Sequence, residues 1–546
     1  MKNFFLKSHK FLIENPLLSL FILLAISLRL FFWIYTDRTW EDALITLISA
    51  KNTWLGNGLT HHLSEPRVYS FSSPLSMLVA IIGEAIHRGL FFLKLTSVIA
   101  AAGSIYYAYR IGLLLKFHWS AQILVLSYLA TDQLQIFFGM AGMETQLATA
   151  IFLGSACYFL NKQWLLLGVF SGLGMLVRPE FIIWLAMIGL FLLIWHRSKI
   201  LTVLIPFLCL TIPWYLFTYI YYGSIIPNTI IAKSLGYNRM PFYPSFSQLW
   251  KFSLEYWKNI APFREWFFTQ STPIPSVLPA ITVELVLCML AIGIIKAYRV
   301  RNGQLLFISL VLILFFSYQI ASGMINYFMW YLPPFLALLF LIAGYGLSSI
   351  AKKHAYSAIF LSCFITLMYS MHIPFSFPLE KLVQEKTECG VRFQTGKILA
   401  TLMGPSDTVT LESLGYIGYG AFNKTTLDYP GLSSKIVVNT WKLINKMKGK
   451  SLSSLIAELQ PSFLVLRPEE INKLIGLQPG VAKNYREIAH IQTKKDVSLN
   501  KWGYSVINLS HDGDFKIFER ISPSTELGPH KPITFIPETY GDCILN

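Results

Sequence analysis

Charge is scarce in this chain. Only 14% of its 546 residues are Asp, Glu, Lys or Arg and 54% are hydrophobic, against roughly 25% charge in a soluble globular domain. A soluble globule is excluded. Acids are scarcer than bases, 29 against 45, for a formal net charge of +16. The excess does not point to nucleic acid, because no basic face or nucleic-acid-binding motif accompanies it. The bases fall in short loops between apolar runs, the pattern that sets membrane orientation. Cysteine is also scarce: there are six, none in a Cys-x-x-Cys or Cys/His ligand spacing, so the sequence supports no metal site. Cys157, Cys209, Cys288 and Cys363 lie in apolar runs and act there as small hydrophobes. Cys389 and Cys543 lie in the polar C-terminal part and could pair if that part is extracytoplasmic; their spacing leaves pairing open. No solenoid-type period and no low-complexity run is present.

What the chain has instead is a series of apolar runs of about 18 or more residues, long enough to cross a bilayer as helices. Lys2, Lys7 and Lys10 precede an apolar stretch from Pro16 to Tyr35. It is too long for a signal-peptide core and no small-residue cleavage site follows, so it reads as a retained first span with a cytoplasmic N-terminus. The placement of Lys and Arg then gives a path of about eleven spans: 14–35, 90–114, 119–138, 144–160, 164–177, 181–195, 200–222, 277–296, 304–321, 331–350 and 355–373. Each inward end carries Lys or Arg. The spans 164–177 and 181–195 are short enough to be tilted or partly re-entrant. Residues 36–88 form a first outer loop with surface-lying helices at 41–55 and 74–87, and 223–275 a second outer segment.

From about residue 375 the material changes to charges, turns and alternating apolar pairs. DTVTLESLGYIGYG reads as a strand followed by a Gly-rich turn. SLSSLIAELQ reads as an amphipathic helix and SFLVLR as a buried strand. The expected architecture is an α-helical polytopic membrane protein, with a transmembrane domain over 1–374 and an extracytoplasmic α/β domain over 375–546.

On this path the conspicuous polar residues all lie at the outer ends of spans. Glu41 and Asp42 follow the first span, Glu144 starts the fourth, Arg178-Pro179-Glu180 joins the fifth and sixth, Asn228 and Lys233 follow the seventh, and Tyr327 and Trp330 precede the tenth. Ionisable groups beside lipid are costly and usually functional, so their gathering on one side suggests one extracytoplasmic cavity. Each has a plainer role available. The acid pair could solvate a loop, Arg178 and Glu180 could pair locally and cap a span, and Glu144 could sit in a helix first turn. Lys233 could snorkel, Tyr327, Trp330 and Tyr331 could be interface-belt aromatics, and His61 and His62 could be loop residues without a metal.

The order of motifs resembles the GT-C superfamily of polytopic glycosyltransferases, and within it the branch that includes the mycobacterial terminal arabinofuranosyltransferase. The residues that carry the likeness are Glu41-Asp42-Ala43-Leu44-Ile45-Thr46, Gly56-Asn57-Gly58-Leu59, Arg67 to Leu75 with its Ser-Ser-Pro-Leu, Gly142-Met143-Glu144-Thr145, Arg178-Pro179-Glu180, Tyr221 to Lys233, and Leu332-Pro333. The chain departs from the pattern at Leu44, Ile48 and Ser76, and lacks the Glu-Gly after Arg67.

This resemblance implies transfer of a sugar from a polyprenyl-phosphate donor to a glycan, glycolipid or glycoprotein acceptor on the outer face of a bacterial inner membrane, with inversion at the anomeric carbon. It implies Asp42 as general base with Glu41 orienting it or sharing the role. Arg178, Lys233 and Arg67 are then the candidates for the donor phosphate; Glu144 and Asn228 would hold sugar or shape the cavity, with Glu180, Tyr327 and Trp330 lining it. No cofactor is implied firmly, and a divalent cation has no support in the sequence. The rival classes are a transporter or flippase for a lipid-linked sugar, which would place charges near mid-membrane on broken helices in paired repeats, a polysaccharide polymerase or ligase, and a non-enzymatic scaffold.

The topology is testable. Reporter fusions at Lys199 and Lys353 are expected to report cytoplasm, and a fusion after Pro378 the outer compartment; a cytoplasmic signal from the last would place the acid pair on the wrong side.

Overall fold

The computed structural model describes residues 14–236, 260–262, 277–322, 328–444, 451–493, 512–521, 532–535 and 543. The chain divides into two compact units, one made of Met1–Arg38, Leu93–Trp214 and Met240–Pro378, the other of Thr39–Phe92, Tyr215–Arg239 and Leu379–Asn546. The first outer loop therefore groups with the C-terminal part, a division that does not follow the linear boundary at 374/375.

The first unit is helical. Six helices among the described residues are long and apolar enough to cross a membrane, or seven if Trp119–Thr131 and Gln133–Met140, bent by 41°, form one span. Shorter apolar helices, Thr145–Leu160, Trp164–Val177, Phe181–Trp195 and Gly303–Gln319, stand where the sequence predicts further spans. Leu332–Ala351 is the most buried helix of the unit, begun by Pro333 and Pro334 in its first turn, where proline costs no hydrogen bond. It packs against Val277–Arg299 through glycine: a Cβ on Gly346 would overlap the Met289 carbonyl, and one on Gly293 the Ile342 carbonyl.

One charge lies where the sequence reading had none. Arg29 sits inside the helix Pro16–Thr36 and is fully buried, so the polar residues are not confined to the outer ends of spans. Each of its three guanidinium nitrogens is hydrogen-bonded. They donate to Gln146 Oε1 at 2.9 and 3.1 Å, and to the carbonyls of Ala25, Leu129, Ala130 and Gln135 at 3.0–3.3 Å. Three of those carbonyls flank the break at Asp132, whose Oδ2 accepts from the Leu134 and Gln135 amides at 3.0 and 3.1 Å. A break frees backbone groups, and in a membrane these must find partners within the protein. Arg29 supplies donors on one side, and His372 Nε2 lies 2.6 Å from the Thr131 carbonyl.

The second unit is built on a six-stranded mixed sheet of order β2-β1-β3-β5-β4-β6, with β1 Thr408–Leu411, β2 Thr425–Asp428, β3 Phe463–Leu466, β4 Tyr485–Gln492, β5 Asp514–Arg520 and β6 Ile533–Phe535. β2, β1 and β3 are parallel, while β5 runs antiparallel to both β3 and β4. Its core takes Val409, Leu411, Phe463, Val465 and Ile517 from the sheet, Ile45 from the first-loop helix Glu41–Trp54, and Ala232 from the helix Asn228–Gly236. The predicted strand at 463–466 and helix near 452–459 are present.

The predicted Gly-rich turn is not. Leu414–Gly420 is a helix, and its glycines serve close approach rather than reversal. A Cβ on Gly415 would overlap the Glu41 side chain, and one on Gly420 would crowd Phe393 O and Gly396.

Replacing Arg29 by Met strands several buried acceptors. Since breaking a buried charged network costs about 3–5 kcal/mol, the thermal midpoint of the detergent-solubilised variant is expected to fall markedly. An unchanged midpoint would show that the bent helix does not depend on Arg29.

Candidate functional site

The helix Glu41–Trp54 opens with its two acids in the first turn, where the helix dipole favours negative charge. The chain leading into it is anchored two residues before: Thr39 N–H donates to Gln384 Oε1 at 3.1 Å, and Tyr416 O–H donates to Thr39 O and Gln384 Oε1 at 3.0 Å each. Asp42 is half-buried, and its carbonyl accepts from Thr46 Oγ1 at 3.3 Å. Glu41 faces the C-terminal residues of the same unit. Its Oε1 accepts from the Gly415 amide at 2.9 Å, and its Oε2 lies 3.4 Å from Arg392 Nη1.

Arg392 also meets Glu388 at 2.9 Å and Asp512 at 2.9 Å, so one guanidinium is shared by three carboxylates. Arg467 continues the network to Asp512 at 2.6 Å, Glu412 at 2.7 Å and Glu470 at 3.1 Å. Two cations thus face five acids in a mostly buried cluster. Burial pushes the Glu41 carboxyl up from 4.5 to about 8, with Glu412 and Glu388 adding to the rise and Arg392 and the Gly415 amide opposing it.

Sequence reasoning missed this network. Arg392, Glu388 and Cys389 lie on a π-helical stretch, Gln384–Phe393, a geometry that favours functional sites and that no sequence period reveals. The same stretch is bonded to the C-terminus by a disulfide between Cys389 and Cys543, with Cα atoms 5.2 Å apart.

The rest of the first loop is latched by the Tyr221 to Lys233 motif. Tyr221 Oη accepts from Leu59 N at 2.9 Å, Tyr222 O–H donates to Leu59 O at 2.7 Å, and Arg67 stacks over the Tyr221 ring at 4.3 Å. The Asn228 amide nitrogen donates to Gly431 O and Leu432 O at 2.7 and 3.2 Å, and its backbone N–H donates to Tyr69 O at 2.8 Å. Both side-chain donors of Asn228 are therefore engaged in joining segments of the unit. Lys233 is half-buried on the same helix. His61 and His62 are buried, unlike ordinary loop residues, and burial holds the His61 imidazole far below its usual value, at about 3. No group of His, Cys, Asp or Glu among the described residues is arranged to hold a metal ion.

The first unit gathers the other candidates. Arg178 Nε lies 3.0 Å from Glu144 Oε1, its Nη2 donates to Thr145 Oγ1 at 3.1 Å and Trp330 O at 3.3 Å, and its guanidinium lies 4.7 Å from the Tyr331 ring. Its ion-pair partner is thus Glu144 on another helix, not its sequence neighbour Glu180. Arg178, Glu180 and Tyr331 line a cavity of about 10 Å³ with Phe152, Phe181 and Phe335, room for about one water. Arg178 Nη1 is buried without a hydrogen bond. Tyr327 lies outside the described residues. Glu41, Asp42, Arg67, Asn228 and Lys233 therefore belong to one unit and Glu144, Arg178, Glu180 and Trp330 to the other.

A carboxyl raised from 4.5 to about 8 makes the folded state hold a proton that the unfolded chain has lost. Stability from this group is full below the unfolded value and falls as pH rises through the folded one. Wild-type thermal stability is expected to decline between about pH 5 and pH 8 with a slope approaching one proton, and Glu41→Gln to lack that component. Parallel curves for the two proteins would show that Glu41 ionises normally.

A family model described as a domain of unknown function, DUF8728, matches residues 381–511. No curated protein matches the chain. The crystal structure of ArnT from Cupriavidus metallidurans bound to undecaprenyl phosphate is similar over 94% of this chain and 100% of that one, with a TM-score of 0.52 and 12% identity. ArnT from the same organism in the apo state is similar over 85% and 95%, with a TM-score of 0.42 and 12% identity. At such identity the likeness is one of fold: the chain has an ArnT-like fold, mostly helical with several apolar helices, and a small C-terminal sheet domain.

Proposed function

We propose that this protein is a membrane glycosyltransferase that moves a sugar from a polyprenyl-phosphate donor to a cell-envelope acceptor on the outer face of the membrane. The observation that carries the reading is the Glu41–Asp42 pair, anchored at a helix start with one acid held in a salt-bridge cluster, in a chain whose fold resembles along its length a protein that binds undecaprenyl phosphate. The loop motifs support the branch that includes the mycobacterial terminal arabinofuranosyltransferase. The Cys389–Cys543 bond supports an oxidising, extracytoplasmic setting for the C-terminal domain.

The electrostatics divide the acids' work. Glu41 keeps its proton up to about pH 8, so near neutrality it is a hydrogen-bonding group rather than a base. Asp42 is then the base that takes the proton of the acceptor hydroxyl as that oxygen attacks the anomeric carbon. The bond from that carbon to the donor phosphate breaks, polyprenyl phosphate leaves, and the configuration inverts. Fixed cations stabilise the departing phosphate; Arg178, Lys233 and Arg67 are the candidates, and Arg178 keeps one buried nitrogen unbonded. Glu144 orients Arg178, and Asn228 holds the loop in place. Trp330 offers Arg178 its carbonyl.

Asp42→Asn preserves shape and removes the basic oxygen. General-base assistance is worth about 10²–10⁴ in rate, so release of polyprenyl phosphate from the lipid-linked sugar in membranes should fall by that factor at equal protein level. Glu41→Gln should cost less. Full activity in the double variant would remove this loop from the chemistry. Arg178→Ala and Lys233→Ala are expected to raise the donor concentration needed for half-maximal rate, and wild-type donor use in both would leave them as structural cations.

A further inference from the structure

The chemistry read above comes from the first loop, yet the groups touching Glu41 come from the C-terminal part of the same unit. Arg392 Nη1 lies 3.4 Å from Glu41 Oε2 and 2.9 Å from Glu388 Oε2, while Nη2 lies 2.9 Å from Asp512 Oδ2. The Gly415 amide donates to the other oxygen of Glu41 at 2.9 Å. The side chain of Arg392 is 9% exposed and that of Glu41 20%, so the pair is poorly screened.

We propose that Arg392 is the positioning residue for the acid pair: it fixes Glu41 against the Gly415 amide and so holds the first turn of the helix that carries both acids. The inference rests on the glycosyltransferase reading for its catalytic meaning and on geometry for its mechanism. The groups facing Glu41 can be enumerated. From the π-helical stretch come Arg392 and Glu388, from the end of β1 Glu412, and from the helix Leu414–Gly420 the Gly415 amide. Asp512 and Arg467 lie beyond, bonded to Arg392 and to Glu412 respectively, and Asp42 is the adjacent acid on the same helix. Arg392 is the nearest cation in this set. Being divided among three acids, it attracts the ionised form of Glu41 too weakly to overcome burial and the like charges of Glu388 and Glu412. Its geometry still ties that carboxyl down.

This arrangement makes opposite demands on two neighbouring substitutions. Arg392→Gln removes the cation's attraction and leaves that of the Gly415 amide, so ionisation of Glu41 should need a higher pH. Glu388→Gln removes a repulsion and a competitor, so ionisation should come at lower pH. Arg392→Lys keeps the charge and should stay near wild type. A cation beside a carboxyl shifts its titration by about 1–3 units, which sets the size of the expected movements.

The test measures two curves on the full-length protein in detergent or membranes: thermal stability against pH, each variant compared with its own Glu41→Gln partner, and polyprenyl phosphate release against pH. Arg392→Gln should move the Glu41 midpoint up by about one unit or more, Glu388→Gln down by a similar amount, and Arg392→Lys little. A structural role for Arg392 would lower stability and activity at every pH and leave the midpoint in place, which overturns the proposal. If Arg392→Gln does not fold, the downward shift in Glu388→Gln decides alone, and its absence also overturns it. Moved midpoints without sugar transfer by any form would uphold the Arg392 assignment and overturn the glycosyltransferase reading. Transfer by wild type with unmoved midpoints would do the reverse.

Discussion

One guanidinium shared by three carboxylates is the constraint around which the second unit is arranged. Arg392 cannot satisfy Glu41, Glu388 and Asp512 equally in a poorly solvated cluster. Burial, with the like charges of Glu412 and Glu388 added, raises the Glu41 carboxyl to about 8 against the pull of Arg392 and the Gly415 amide. That cluster holds the first of two acids that are adjacent in sequence. It also explains why the first outer loop and the C-terminal part form one unit: the helix Glu41–Trp54 contributes Ile45 to the sheet's core, and Gly415 packs against Glu41 where any side chain would collide.

The first unit solves a different problem. A helix broken at Asp132 leaves carbonyls without intrahelical partners, and Arg29 gathers several of them together with Gln146. A charge inside a span, beside a broken helix, is also what a transporter would show. Here each guanidinium nitrogen of Arg29 is already bonded within the protein, so this arginine closes a structural gap and offers no donor to a passing substrate. Arg178 differs: it holds Glu144, Thr145 and the Trp330 carbonyl and still has a buried nitrogen without a hydrogen bond, and it lines a small cavity.

The helical class, the small α/β domain and the positions of the first-loop helices were legible because apolar length, basic loop ends and short strand patterns are local signals. The acid pair was legible for the same reason. The network around it was not: Glu41 and Gly415 are 374 residues apart in sequence, and π-helical geometry leaves no periodic trace. GYIGYG misled because glycine marks both turns and close helix contacts, and only packing tells them apart. Arg29 was overlooked as a single charge inside an apolar run. Asn228 and Tyr222 stood out as motif residues, yet their hydrogen bonds show them joining segments of the unit, a role that spacing alone does not separate from ligand contact.

The proposed activity consumes a polyprenyl-phosphate sugar at the outer face of the membrane. The most direct test is mass spectrometry of lipid-linked sugars and surface glycans from cells carrying the wild-type protein or the Asp42→Asn form at equal membrane levels. With Asp42 replaced, a polyprenyl-phosphate sugar is expected to accumulate and one sugar to be missing from a surface glycan or glycolipid. Identical lipid-linked and surface glycan profiles in the two strains would contradict it.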